Sequence, residues 1–142
     1  MPMITVKFSA LEARAGLSEA VAKAVNKLSA DILKKNPTLT AVAIDQVAAD
    51  QWFIGNKSLV EHKLAAFWLE IRIVESTNTR EQKEEFIAAA FAKINELIGP
   101  LHSESYVYVN EVRGDAYGHS GIIQNERYFK GRAASAASKA AG

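Results

Sequence analysis

The fold class that the sequence predicts is α/β, a tandem βαβ repeat whose four strands form one mostly parallel sheet with both helices on one face. The first observation is that a strand-like alternation, an amphipathic helical stretch and a second alternating run follow one another twice along the 142 residues. The second observation is that a shift of 65 residues aligns the first half of the chain with the second, so that Val42 aligns with Val107. The third is an Asp-x-aromatic turn that closes both halves, at Asp50 and Asp115, and we infer a duplication.

The predicted elements come in the same order in each half. The first half comprises a strand at Ile4–Ser9, a helix over about 18–34 and a strand at Thr40–Val47. The second half comprises a strand at Phe67–Val74, a helix over about 80–98 and a strand at Ser105–Val112. Because each helix connects two strands of one sheet, we expect right-handed crossovers and parallel pairing within each half. We expect one domain over residues 1–130, with halves at about 2–65 and 66–130, and a flexible Ala/Ser-rich tail over 131–142.

The helices carry start signals, stop signals and apolar stripes. Thr79 and Gln82 have the spacing of a capping box, and Gly99-Pro100 ends the second helix. The residues expected to face the sheet from this helix are Phe86, Ile87, Ala90, Phe91, Ile94, Leu97 and Ile98. Those expected from the first helix are Leu17, Val21, Val25, Leu28 and Ile32.

Both faces of the predicted sheet have apolar or aromatic side chains. In the third strand Phe67 and Leu69 alternate with Trp68 and Glu70, and in the fourth Val107 and Val109 alternate with Tyr106 and Tyr108. Since no third helix is predicted to cover the face away from the two helices, we expect another copy of the chain to cover it. The segment GHSGIIQNERYF after Tyr117 predicts a hairpin that could extend a neighbour's sheet.

Composition excludes several classes of protein. The net charge of +1 argues against a nucleic-acid or anionic-membrane partner, and the absence of cysteine removes disulfides and thiol chemistry. We find no membrane-spanning apolar stretch, no signal peptide and no phosphate-binding loop, so we expect a cytoplasmic protein. The histidines at 62, 102 and 119 have no metal-ligand spacing, and we expect neither a metal nor a cofactor.

Pro2 directly precedes the first predicted strand. A proline is tolerated there because its missing N–H is not needed by the ladder. Removal of Met1 would leave Pro2 with a free secondary amine held in place by that strand.

The doubled pattern that begins at Pro2 resembles the tautomerase superfamily. The stretches NTREQKEEFIAAAF and YVYVNEVRGDAYGHSG are similar to a 4-oxalocrotonate tautomerase subunit, and PMITVKFS to QWFIGN repeats the pattern. Doubled members include the macrophage migration inhibitory factor, 5-carboxymethyl-2-hydroxymuconate isomerase and cis-3-chloroacrylic acid dehalogenase groups. The resemblance implies a homotrimer and a small carboxylate substrate.

The resemblance implies that Pro2 is the general base, or an acid as in some members. A free α-amine has a pKa of about 7.7–8.0, burial lowers that pKa, and a base near the working pH is useful. The position equivalent to Pro2 in the second half, near Phe67, has no amine. We therefore expect one working site per chain, which moves a proton within a keto–enol or unsaturated acid.

Three cations are candidates for binding the substrate carboxylate: Arg14 in the first loop, Lys35 before the second strand and Arg72 in the third strand. Each has a structural alternative. Arg14 could be a solvated loop charge, Lys35 a cation at a helix C-terminus, and Arg72 the ion-pair partner of Glu70. The arginine that short tautomerases carry in the second strand is absent here, where Ala43 stands in the first half.

Aromatic residues complete the candidate site. The resemblance suggests that Tyr106 or Tyr108 polarises a substrate carbonyl and that Trp52 or Tyr117 forms a pocket wall. The structural alternatives are interface packing for the two tyrosines of the strand and hydrophobic plugs at a subunit edge for Trp52 and Tyr117.

Two other functions stay open. The same proline could act as an acid in a haloacrylate dehalogenase or hydratase, although the first helix lacks the histidine expected of that group. The chain could also be a catalytically silent trimeric binding protein, particularly if Met1 is retained.

Overall fold

The computed structural model describes residues 2–126, so Met1 and the predicted tail lie outside the described residues. Its elements are β1 (Met3–Ser9), α1 (Leu17–Leu33), β2 (Ala41–Gln46), β3 (Phe53–Ile54), β4 (Lys57–Ser58), α2 (Leu59–His62), β5 (Ala66–Val74), α3 (Arg80–Ile98), β6 (Tyr106–Val112), β7 (Gly118–His119) and β8 (Ile122–Ile123). The predicted α/β class is confirmed, with a four-stranded sheet in the order β2-β1-β5-β6.

The two halves share one pairing register. Met3 pairs with Ala41 in the parallel β1–β2 pair, and Trp68 pairs with Tyr106 in the parallel β5–β6 pair. Both residues of the second pair lie 65 positions after their counterparts. This is the offset that the sequence pattern indicates.

The central pair, β1 and β5, is antiparallel, which the sequence pattern did not indicate. Ser9, at the end of β1, pairs with Ala66, at the start of β5. Because β2 is parallel to β1, the first half ends at the edge of the sheet where β5 begins. The connection over residues 47–65, which contains β3, β4 and α2, therefore does not need to cross to the other edge, and β5 runs back beside β1.

Both long helices pack on one face of the sheet. The capping box is present, because Thr79 Oγ1 accepts from the Gln82 N–H at 3.1 Å while the Thr79 N–H donates to Gln82 Oε1 at 2.9 Å. The α3 residues buried against the sheet are Phe86, Ala90, Ile94 and Ile98, and those of α1 are Leu17, Val21, Val25, Ser29 and Leu33. The expectation that Ile87 faces the sheet is wrong, since its side chain is 40% exposed.

Each half also has a short hairpin with the same turn. Gly55 and Asn56 connect β3 to β4, and Ser120 and Gly121 connect β7 to β8. All four residues have positive φ, the conformation of the two-residue turns whose twist matches that of the strands. A hairpin is therefore present over Gly118–Ile123 of the segment predicted after Tyr117, and the first half contains its counterpart. Residues 127–129 of that segment lie outside the described residues.

Candidate active site

Pro2 lies at the edge of the sheet where β1 begins. It is buried, and its carbonyl accepts the Ala41 N–H at 3.3 Å. The next residue, Met3, pairs with Arg72 of β5, and Arg72 pairs with Asn110 of β6. The start of β1 therefore meets the ends of β5 and β6 at one edge.

A cavity of about 460 Å³ opens at this edge. It is lined by Met3, Arg72, Ile73, Asn110, Val112, Ala116, Tyr117 and Gly118, and we call it the proline-end cavity. Arg72 and Tyr117, two of the predicted site residues, share it with the residue that follows Pro2. Asn110 was not among the predicted site residues, although strand alternation places it on the face of Arg72.

Arg72 forms an ion pair with the carboxylate of Glu70. Its Nε lies 2.5 Å from Glu70 Oε1, and Asn110 Nδ2 donates to the same oxygen at 3.4 Å. The Glu70 side chain is only 16% exposed, whereas that of Arg72 is 62% exposed. The structural alternative for Arg72, a pair with Glu70, is therefore present, and no other residue between 2 and 126 accepts a hydrogen bond from the guanidinium, which lines the cavity.

Lys35 lies at the same end of the sheet. Its ammonium donates to Thr77 Oγ1 at 3.1 Å, and Thr77 lies in the loop that follows β5. Partial burial holds the pKa of Lys35 below its usual value. The contact to Thr77, rather than to the end of α1, directs this cation towards the edge where Pro2 lies.

Tyr106 and Tyr108 lie on the face of the sheet that the helices leave open. They are 47% and 49% exposed, their rings stack with centroids 6.1 Å apart, and Tyr108 also contacts Trp68. The Tyr106 hydroxyl donates to the Glu104 carboxylate, which raises the pKa of Tyr106.

Neither tyrosine is beside Pro2 within one chain. Tyr108 pairs with Glu70, and Glu70 pairs with Thr5. Tyr108 is therefore about 10 Å across the sheet and about 10 Å along it from Pro2, given ordinary strand spacing and rise.

Arg14 and Trp52 lie at the opposite edge of the sheet from Pro2. One Arg14 Nη donates to the Leu97 carbonyl at 2.9 Å near the end of α3. Trp52 belongs to a wider cleft of about 970 Å³. Its lining is Lys7, Val47, Gln51, Trp52, Phe53, Ile54, Gly55, Trp68, Glu104 and Tyr106, and we call it the tryptophan cavity. The larger opening is thus not the one next to Pro2.

The described residues contain neither a metal-ligand cluster nor a membrane-spanning helix. Between residues 2 and 126, no group of three His, Asp or Glu side chains is arranged to hold a metal ion. His62 and His102 instead pack edge to face, with ring centroids 4.7 Å apart. No helix among these residues is long and apolar enough to cross a membrane.

Sequence comparison identifies the family of this chain. The model described as tautomerase enzyme matches residues 2–62. A relative named as a probable tautomerase, from Dickeya dadantii (strain 3937), is 33% identical over 66 residues, which cover 98% of the relative and 46% of this chain. The chain belongs to the tautomerase family. It is about twice as long as this relative, as expected of a tautomerase with two βαβ units.

Solved structures support the same fold. A protein solved after inactivation by 2-oxo-3-pentynoate has a TM-score of 0.76 at 14% identity, covering 88% of this chain and 98% of that one. A fused 4-OT solved as a symmetric trimer has a TM-score of 0.74 at 12% identity, with coverage of 87% and 96%. A member of the cis-3-chloroacrylic acid dehalogenase family has a TM-score of 0.63 at 23% identity, with coverage of 89% and 90%.

Proposed function

We propose that this chain is an isomerase that moves a proton within a small unsaturated keto or hydroxy acid, with the Pro2 amine as general base. The observation that carries the proposal is the proline-end cavity, which places Arg72, Asn110 and Tyr117 beside the strand that begins at Pro2. Family membership supports the reaction class. The active form requires removal of Met1, because an acylated nitrogen is not a base.

The proposed reaction is a transfer of one proton with no change in oxidation state. The lone pair of the Pro2 nitrogen takes a proton from the enol oxygen or from the carbon beside the carbonyl. The ammonium then returns a proton to the other position, so that substrate and product are isomers. Apolar surroundings favour the uncharged amine, which is the form that can accept a proton.

The substrate carboxylate would bind at the cationic side of the cavity. Arg72 presents its remaining guanidinium NH groups there, and Asn110 can donate a further hydrogen bond. Lys35 adds positive charge at the same edge of the sheet. Tyr117 lines the same cavity and would hold the unsaturated part of the substrate against its ring.

We propose a homotrimer in which a neighbouring chain completes the site. The open face with Tyr106 and Tyr108 supports this, as does the trimer formed by the fused 4-OT that shares the fold. Tyr108 is too far from Pro2 of its own chain to touch a substrate there. In a trimer, Tyr108 or Arg14 of one chain would act in the site of another.

The function is tested with phenylpyruvate, a simple enolisable acid. Intact-mass spectrometry first establishes that Met1 is absent. The Pro2→Gly variant keeps an α-amine but replaces the secondary amine of proline with a primary one, so the pH profile of kcat/KM should shift and its maximum should fall, because that profile reports the pKa of the base in the free enzyme. The matched control is Pro37→Ala, a substitution of an exposed turn proline, which should leave both the profile and the rate unchanged. An unchanged pH profile in the Pro2→Gly protein would contradict the proposal.

Covalent labelling tests the nucleophilic amine independently of turnover. With 2-oxo-3-pentynoate, the Pro2 nitrogen should add to the alkyne, forming one C–N bond while the ammonium proton goes to the neighbouring carbon. Peptide mapping should then find the intact reagent mass on Pro2 alone. Label on Pro2 without any turnover would favour a silent binding protein. Halide release from a 3-chloroacrylate, without phenylpyruvate turnover, would favour a dehalogenase.

A further inference from the structure

The tryptophan cavity is the counterpart of the proline-end cavity in the other half of the duplicated chain. Six positions of the two linings correspond at the offset of 65 residues: Lys7 and Arg72, Val47 and Val112, Gln51 and Ala116, Trp52 and Tyr117, Phe53 and Gly118, and Trp68 and Met3. Where the proline-end cavity adjoins Pro2, this cavity adjoins Phe67, a buried mid-chain residue with no amine. The tryptophan cavity therefore has lining positions equivalent to those of the proline-end cavity but no amine that could act as a general base.

The charges of the two cavities differ. Arg72 is paired with Glu70, but the position equivalent to Glu70 is Thr5, and Lys7 makes no ion pair or hydrogen bond through its side chain with any described residue. Asp45 lies opposite Lys7 on β2 without forming an ion pair. The acid of the lining, Glu104, already accepts the Tyr106 hydroxyl. The charge without a partner is therefore the Lys7 ammonium.

The walls of the tryptophan cavity are aromatic. Trp52 and Trp68 are both half-buried, and Phe53 and Tyr106 stand at its rim with 61% and 47% of their surface exposed. Gly55 at the hairpin turn has no side chain to close the opening. Such rings offer flat apolar surfaces on which another aromatic ring can stack.

We infer that the tryptophan cavity is a second ligand site, which binds a small aromatic carboxylate without converting it. The ring of the ligand packs between Trp52 and Trp68, and its carboxylate meets Lys7. The volume of about 970 Å³ is ample for a molecule of one ring and a short acid chain. The inference does not depend on catalysis by Pro2, because no group of the proline-end cavity contributes to this one.

The tryptophans of the chain are spectroscopic probes of this site. The chain contains two tryptophans, and both line this cavity. Tryptophan fluorescence, and the ¹⁹F spectrum of protein labelled with 5-fluorotryptophan, therefore report on this cavity, and within one chain neither tryptophan lines the proline-end cavity. The two ¹⁹F resonances are assigned with Trp52→Phe and Trp68→Phe.

The experiment titrates the full-length, assembled protein with phenylacetate, which has no keto group to convert. We expect saturable quenching and a shift of both ¹⁹F resonances, with the same affinity before and after Pro2 is blocked by 2-oxo-3-pentynoate. Lys7→Met should weaken binding about tenfold or more, since it removes a charged hydrogen bond. The matched control is Lys57→Met. Lys57 lies in the β3–β4 hairpin, which contributes Phe53 to the cavity, but is not itself part of the lining, so this variant should bind phenylacetate as the wild type does.

Several outcomes would overturn the inference. Resonances that do not respond would mean that a neighbouring chain or the cavity's own side chains fill the space. Phenethylamine binding in preference to phenylacetate would reverse the assigned charge, and undiminished affinity in Lys7→Met would remove the role of Lys7. Binding that disappears when Pro2 is blocked would assign the ligand to the proline-end cavity. An inactive protein that still binds phenylacetate here would refute the proposed function and leave this site standing.

Discussion

Arg72 Nε lies 2.5 Å from Glu70 Oε1, two residues earlier on the same face of β5. Strand alternation puts the two side chains on one face, and the hydrogen bond from Asn110 holds the same carboxylate oxygen. The cation proposed to bind substrate is therefore partly neutralised before any substrate arrives. The acidic neighbour should limit the affinity of the site for a carboxylate.

Glu70→Gln should strengthen substrate binding. The amide has no charge to compete for Arg72, so we expect KM for phenylpyruvate to fall about two- to fivefold with kcat little changed, the scale of an exposed ion pair. Steady-state kinetics measure this directly. Glu61→Gln changes the net charge equally but lies on α2, at the opposite edge of the sheet, and should leave KM as it is. An unchanged KM in Glu70→Gln would argue that Arg72 does not meet the carboxylate.

Tyr108→Lys should disrupt the proposed assembly. It places a charge in the middle of the open face, where burial against another chain would leave the ammonium without a partner. Sedimentation equilibrium should show a mass near that of one chain, against three for the wild type. Ile87→Lys is the control, because Ile87 is also exposed and apolar but lies on the helix layer. If both variants sediment as the wild type does, the open face is not the interface.

Lys35→Met should be stabilising at neutral pH and less so as the pH rises. Burial lowers the pKa of Lys35 in the folded protein, so the unfolded chain binds more protons between that lowered pKa and about 10.4. The cost of burying the charge is thus fully present below this window and disappears above it. Urea unfolding of both proteins at neutral pH and near pH ~10 measures the difference.

The contact between Lys35 and Thr77 needs its own control. Thr77→Val removes the hydroxyl that accepts the ammonium at 3.1 Å while keeping the lysine, and it also removes the hydrogen bond that this hydroxyl donates to the Val74 carbonyl at 2.6 Å. The loss that depends on Lys35 is therefore the part that disappears when Thr77→Val is made in the Lys35→Met protein. A Lys35→Met protein that is less stable than wild type by the same amount at every pH would show that burial of the charge has little weight.

Thr79→Ala should destabilise the protein by about 1 kcal/mol through the loss of the helix cap of α3. Gln82→Ala removes the reciprocal hydrogen bond, and the two substitutions together should cost less than their sum because they break one motif. Urea unfolding at equal protein concentration gives the values. Glu85→Ala, at an exposed helix position, should stay within about 0.5 kcal/mol of wild type. Equal losses of unfolding free energy in Thr79→Ala, Gln82→Ala and Glu85→Ala would show that the cap of α3 makes no specific contribution to stability.

Much of the fold could be predicted because its signals are local. Alternation identified the four long strands, and the Thr79–Gln82 spacing identified the start of α3. The antiparallel pairing of β1 with β5 could not be read in this way. The direction of β5 relative to β1 depends on the edge of the sheet at which the chain leaves the first half. That edge is a property of the assembled sheet.

The lining of the candidate site could be anticipated from the sequence only in part. Residue types and the family pattern indicated Pro2, Arg72 and Tyr117, but they could not separate Tyr117 from its repeat equivalent Trp52. The folded chain places these two aromatic residues in different cavities at opposite edges of the sheet, because antiparallel β1 and β5 turn the two halves in opposite directions.

The sequence by itself determined the doubled βαβ pattern, the helix caps and the proline that precedes the first strand, since each depends on residues close together in the chain. Only the tertiary structure decided which side chains share a cavity with that strand, how Glu70 offsets the charge of Arg72, and that each half of the duplication contributes most of the lining of a separate cavity. Those relationships arise between residues distant in sequence, whose meeting depends on the order and direction of strands in the sheet.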